Sequence, residues 1–215
     1  MAVITISRQY GSAGEEIAAR LCELLGYRLF DKQMMAQIAS EADLSPTKVI
    51  DSPEDRHQVL TWFERIFGNK VAEAWVSTDE ESGARTVEIG EVDGRRFATE
   101  VSSLIQAAYK RGNVVILGRG GQQVLKDQPG VLSVRIEAPF DERVRRVSEQ
   151  QRFANPEAAR DFVAGRDRAG ADYLRTYYHA DWADPLLYHL VINTGMWDIE
   201  AAAQIIAGAL EYLRS

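Results

Sequence analysis

Cysteine is nearly absent from this 215-residue sequence: Cys22 stands alone, at an apolar position of a helical pattern. No disulfide can form within the chain, a metal site would need other ligands, and the expected role of Cys22 is packing. Histidine is almost as scarce, and His57, His179 and His189 have no metal-ligand spacing. Nothing resembles a Ser/His/Asp triad by motif. No stretch approaches the ~20 consecutive apolar residues of a membrane span, which argues against a helical membrane protein. Basic residues are outnumbered, 25 Lys and Arg against 32 Asp and Glu, for a net charge of -7. That balance argues against a general nucleic-acid binder, which needs a net basic surface for the phosphate backbone. The start, "MAVITIS", lacks the basic segment and apolar run of a secretory signal, so the expected address is cytoplasmic.

What is present suits one α/β domain with a sizeable core: 46% hydrophobic and 27% charged residues. The arginines are concentrated, at Arg143, Arg145 and Arg146, at Arg166, Arg168 and Arg175, and singly at Arg8 and Arg119. Such clusters in an acidic chain suit small phosphorylated ligands better than polymers.

Val3 to Ser7 reads as a strand buried on both faces, followed by a helix with apolar residues at Ile17, Ala18, Leu21, Leu24 and Leu25 and a stop at Gly26. "YRLFD" is a second strand ending at Asp31, and residues 32–42 a second helix. Residues 56–76 are helical by pattern and rich in aromatics, and "STDEESGARTVEIGEVDGRRFATE" holds a hairpin with Asp93-Gly94 as its expected turn. A helix from Glu100 to Arg111, the strand in "NVVILGRGG", the strand "VLSVRIEA", the helix "PFDERVRRVSEQQ", a charged helical segment over 153–180, the strand in "YHLVINTG" and a last amphipathic helix complete the chain. Strands alternating with helices predict an α/β, doubly wound parallel sheet, in which 45–98 is an inserted helical and hairpin subdomain.

Parallel sheets bind ligands beyond the carboxyl ends of their strands. Four features fall there: residues 7–14, Asp31, Gly118 to Gly121, and Asn193-Thr194. Gly11, Ser12, Ala13 and Gly14 let backbone N–H groups approach an anion at a helix start. The same residues fit a second reading, since Ser12 with Glu15 three positions on matches a capping box that would satisfy those donors internally.

"ITISRQYGSAGEEIAARLCELLGYRLFDKQMM", "VVILGRGG", "RDRAGADYLRTYY" and "DWADPLLYHLVINT" together resemble the cytidylate kinase-like family, relatives of the P-loop nucleoside monophosphate kinases. The resemblance runs in order over most of the chain and is weakest between about 50 and 98. It implies the P-loop kinase form of the sheet, a lid over 153–180, and transfer of the γ-phosphoryl group of ATP, with Mg²⁺, to a small-molecule nucleotide such as CMP or dCMP, or to another phosphorylated metabolite. In cytidylate kinases proper the loop closes on GKGT. Here Gly14 stands at the lysine position and Glu16 at that of the magnesium-binding threonine, whereas the kinase-like branch typically shows SRxYGSGG. Ala13 departs from that pattern too. Arg8 is the expected replacement cation, Glu15 a cap, Glu16 a metal ligand, and residues 11–16 the donor-phosphate cradle. Arg119 resembles the arginine of a GRD motif that holds the acceptor phosphate, with Gly120 in place of the aspartate. Arg166, Arg168 and Arg175 resemble the cationic lid that clamps the phosphates during transfer. Asn193 and Thr194 fall where many such kinases contact adenine, and Asp31 where acceptor binding begins. His189 departs from the branch's YDLVINT. Tyr10, Tyr173, Tyr177 and Tyr178 are candidates to stack on a base, and Trp62, Phe63 and Phe67 for the insertion's core or a homodimer contact. A nucleotide-binding regulatory module without turnover is the reading from another class, motivated by the absent lysine.

Overall fold

The buried apolar runs assemble as strands of one parallel sheet. The computed structural model describes residues 2–30, 34, 73–78, 85–90 and 94–213. In chain order the elements are β1 (Val3–Arg8), α1 (Gly14–Leu25), β2 (Arg28–Phe30), β3 (Glu73–Thr78), β4 (Arg85–Gly90), α2 (Gly94–Arg111), β5 (Val114–Leu117), α3 (Gly121–Val124), β6 (Val131–Glu137), α4 (Phe140–Gln150), α5 (Pro156–Tyr178), β7 (Leu190–Asn193) and α6 (Ile199–Ala209). The sheet order is β2-β5-β1-β6-β7, with every pairing parallel.

Side-chain alternation divides the core between the two faces. Ile4 and Ile6 of β1, with Val115, Leu132, Val134 and Ile136, pack against α1 and α6 through Ile17, Leu21, Ala203 and Ile206. Val3, Val114, Ile116 and Val131 pack on the other face against α2, through Val101, Ile105 and Ala108, and against Phe30 and Met34. Cys22 is half-buried and packs on the α1 side. Both faces are covered, as a doubly wound sheet requires. With β1 between β5 and β6, the crevice lies beyond the carboxyl end of β1, where the connections diverge to opposite halves of the sheet.

Two boundaries differ from expectation. The helical pattern over 56–76 fails at its end, because residues 73–76 lie in β3, paired antiparallel with β4. The paired strands are Glu73–Thr78 and Arg85–Gly90, so Asp93-Gly94 is not their turn; Gly94 instead opens α2. Asp-Gly before an apolar periodic run is a helix-start signal as well as a turn signal, and here the helix wins. Asp31, Trp62, Phe63, Phe67 and, apart from Met34, the helix expected over 32–42 lie outside the described residues. No helix among the described residues is long and apolar enough to cross a membrane.

Candidate active site

The loop from β1 to α1 is built around left-handed backbone. Gly11 has φ 78° and Ala13, the residue before α1, has φ 63°. A non-glycine residue in that region costs roughly 1–2 kcal/mol, so the fold sustains strain at the helix entrance. A Cβ on Gly11 would lie 2.7 Å from Val147 Cγ2 and 2.9 Å from the Arg143 carbonyl oxygen, so the loop presses directly on α4.

The capping-box reading does not hold. Ser12 is fully buried and its hydroxyl faces inward, donating to the Gln9 carbonyl at 2.8 Å. Glu15 turns to Arg8 instead, accepting from its Nε and Nη2 at 3.0 and 2.9 Å. No side chain caps α1. Its first N–H groups therefore keep their capacity for an external acceptor, and the helix dipole adds to it.

Arg8 fills the space above this helix start. A Cβ on Gly14 would sit 2.7 Å from both Cβ and Cγ of Arg8, and one on Gly118 would sit 2.6 Å from Arg8 Nη1. The arginine stem thus lies across Gly14 and its guanidinium reaches the β5 turn. A lysine at position 14 and an arginine at position 8 compete for one volume. Because Arg8 Cβ is the root of its side chain and cannot swing aside, Gly14→Lys is expected to lose about 1–3 kcal/mol of stability by overpacking and to gain no activity. Urea unfolding beside a turnover assay checks both halves of that expectation.

At the end of β5, Arg119 also adopts left-handed backbone, φ 57°. Its Nη1 donates to the carbonyls of Phe30 and Leu117, each at 3.3 Å, and the guanidinium lies 5.7 Å from the centre of the Phe30 ring. A Cβ on Gly120 would lie 2.6 Å from Tyr178 Cε2. The tyrosine ring occupies the room that the aspartate of a GRD motif would need.

Helix α5 runs unbroken from Pro156 to Tyr178, with Asn155 capping it by accepting from the Ala158 N–H at 2.8 Å. At about 100° per residue, Arg166 points away from Arg168 and Arg175, which share a face. Arg166 lies 5.2 Å from the Tyr10 ring centre, beside the loop, whereas Arg168 is exposed and Arg175 pairs with Asp172. The structure does not bring the three arginines together. Asp167 accepts from Arg143 Nη1 at 2.6 Å and from the Tyr10 N–H at 2.9 Å. Arg143, 5% exposed at its side chain, also donates to the carbonyls of Tyr10, at 3.1 Å, and Ala138, at 3.0 Å. Both peptide groups flanking Tyr10 are held, and its ring packs edge-on to Phe162 at 5.4 Å.

At the end of β7 the two predicted base contacts separate. Asn193 is exposed and its Oδ1 accepts from the Gly195 N–H at 2.8 Å. Thr194 is buried and ties the loop down, its hydroxyl donating to the Ser12 carbonyl at 2.9 Å. Arg146 donates to Thr194 Oγ1 at 3.0 Å and to its carbonyl at 2.8 Å. Arg145, with help from Arg146, holds the Glu142 carboxyl down to about 2. Beyond lies a cleft of 470 Å³ lined by Ala13, Glu16, Arg146, Thr194, Trp197 and Asp198, among others. Glu16 is exposed there, and among the described residues no cluster of three or more His, Cys, Asp or Glu forms a preassembled metal site.

The family model of the cytidylate kinase-like family matches residues 3–196. The chain belongs to that family. A cytidylate kinase of Methanocaldococcus jannaschii is 28% identical over 149 residues, 68% of this chain and 72% of the relative. One from Methanoregula boonei is 26% identical over 51% of this chain and spans 59% of its own length. Among solved structures, a protein from Eubacterium ventriosum superposes with a TM-score of 0.66 at 19% identity, covering 98% of this chain and 99% of that one. A shikimate kinase from Bacteroides thetaiotaomicron does so with 0.53 at 14% identity, covering 98% of each. These two likenesses concern the fold, that of the P-loop kinases.

In this cytidylate kinase-like chain, two groups of residues near the site carried no weight in the sequence. The Arg143–Asp167 pair is one; Arg143 was visible as part of a cluster, but its burial follows from the close approach of Gly11, which no local pattern encodes. The other is a closed ring of hydrogen bonds behind Arg8. Trp182 Nε1 donates to Ser7 Oγ at 2.8 Å, Ser7 and Tyr188 hydroxyls are 3.2 Å apart, and Tyr188 donates to the Trp182 carbonyl at 2.9 Å. Arg135, 3% exposed at its side chain, stacks 4.3 Å from the Trp182 ring centre and pairs with Glu137 at 2.5 Å. His189 is structural here: its Nδ1 accepts from the Ser133 N–H at 2.9 Å and extends the β6–β7 pairing.

Proposed function

We propose that this chain is an ATP- and Mg²⁺-dependent phosphotransferase that moves the γ-phosphoryl group of ATP to a nucleoside monophosphate, with CMP or dCMP as the default acceptor. The observation that carries the reading is Arg8 lying across Gly14, so that one fixed cation stands over an uncapped helix start at the usual place of a lysine. Residues 11–14 would cradle the donor phosphates with backbone N–H groups, and Arg8 would neutralise charge spreading in an in-line transfer. Magnesium would arrive on the ATP phosphates and keep most of its waters, needing one or two carboxylates. Glu16 fits that need; Glu15 is engaged by Arg8. The cleft beside Thr194 and Trp197 would take the adenine, Arg119 the acceptor phosphate, and Arg166 the donor side, with Arg168 and Arg175 serving only if the far end of the 153–180 lid moves.

Coupled turnover assays across a panel of nucleoside monophosphates test this. Turnover with CMP or dCMP alone supports the reading; turnover with a different small acceptor keeps the chemistry and changes the substrate. Retained ATP binding with no turnover on any acceptor supports a regulatory module instead, a reading that the Arg8–Glu15 pair favours because it partly neutralises the cation. For Arg119→Ala the expected result is a rise of roughly 10–100-fold in acceptor KM with ATP KM unchanged, the scale of one lost charge-assisted contact. Equal losses for both substrates would remove Arg119 from the acceptor side.

A further inference from the structure

We infer that the Tyr173 hydroxyl is a binding group for a phosphomonoester, completing beside Arg119 the acceptor site of the reading above. The Tyr173 ring packs 5.1 Å from that of Tyr177 and 5.8 Å from that of Tyr178. Tyr178 in turn is seated on Gly120, next to Arg119, and its own hydroxyl is 3.2 Å from Ser102 Oγ. Tyr173 thus stands in an aromatic wall against the GRGG turn.

Its hydroxyl oxygen is buried without a hydrogen bond of normal geometry, although the Tyr178 hydroxyl stands close enough to interact with it. Gln122 Nε2, two residues beyond Gly120, is buried without a partner as well. An unmet buried polar group is costly, and native folds keep few of them. An unmet hydroxyl in the wall against a turn that carries a cation marks a place where a polar ligand supplies the missing partner. Burial, then the neighbouring Tyr178 and Tyr177, push the Tyr173 hydroxyl well above its ordinary value, with Arg119 opposing. The group therefore keeps its proton and acts as a donor. A retained O–H and a nearby guanidinium suit an oxyanion, and the acceptor's phosphate is the oxyanion that the kinase reading brings there.

The test is CMP binding by calorimetry to the wild type and to Tyr173→Phe, with the donor site saturated by a non-hydrolysable ATP analogue and inorganic phosphate as a second probe. Loss of a hydrogen bond to a charged group predicts a roughly 10–100-fold rise in Kd. Thermal unfolding of the ligand-free variant is expected at the wild-type midpoint or above it, since an unsatisfied hydroxyl is removed; a purely structural tyrosine hydroxyl would move the midpoint down and leave Kd alone. Equal affinity in the two proteins for whichever probe binds, or no binding of either probe to the wild type, overturns the inference. Should the wild type turn over no acceptor while Tyr173→Phe still weakens phosphomonoester binding, the kinase reading falls and the site stands.

Discussion

Arg8→Ala is expected to lower kcat by roughly 10²-fold or more, the scale for removing one preorganised charge stabiliser. The expectation follows from placement. Arg8 ends a strand paired on both sides, to β6 throughout and to β5 up to Ile6, so its backbone does not move to meet a ligand. Its stem is pinned over Gly14 and its guanidinium reaches Gly118, between the β1–α1 loop and the β5 turn. Such a group costs no reorganisation when charge spreads over the transferring phosphoryl group. The bond to Glu15 does not defeat this: the two side chains are 33% and 51% exposed, and a pair so exposed is worth at most about 1 kcal/mol. A triphosphate can displace Glu15 at small expense. Arg8→Lys keeps the charge but loses the planar fork and is expected to fall between wild type and alanine. Steady-state kinetics with varied ATP decide the matter. Wild-type kcat in Arg8→Ala would show that the loop works through its backbone alone.

The sheet was legible because it rests on period and punctuation. The buried runs of β1, β5 and β6, the apolar run of the edge strand β7, the Gly26 stop and the Gly118–Gly121 turn are local signals, and each stands where the pattern places it. Asp93-Gly94 does not close the hairpin because Asp-Gly serves two local purposes and tertiary pairing chooses between them. Within the site, the residue types at the strand ends were readable but their partners were not. Ser12 is a plausible cap by spacing, yet the left-handed turn at Ala13 rotates its hydroxyl inward. Thr194 reads as a base contact by its place after β7, and its hydroxyl is a strut under Ser12, a contact across 182 positions. Arg166, Arg168 and Arg175 form a cluster in sequence that one helix divides between opposite faces. The pattern identifies which residues can do the chemistry; long-range packing decides which are free to do it.

Asp167→Ala is the stability counterpart, with an expected loss of about 3 kcal/mol, at the lower end of the range for breaking a buried ion pair from one side. The variant leaves the Arg143 guanidinium, 5% exposed, without its counter-charge, and leaves the Tyr10 N–H without its acceptor. The carbonyls of Ala138 and Tyr10 still accept from Arg143, which is why the upper end is not expected. For a chain of this length the midpoint of thermal unfolding should fall by roughly 6–12 °C. Activity should fall as well, because Asp167 is the point where α5 grips the β1–α1 loop. Replacing both partners separates the two effects: Arg143→Met with Asp167→Leu removes the charges together, a change that is often neutral for stability. That double variant is expected to regain most of the lost stability and little of the lost turnover, since neither new side chain can hold the peptide groups of Tyr10. Recovery of both would mean that the clamp supports folding only, and that the loop finds its working shape from Ser12, Thr194 and Gly11 without help from α5.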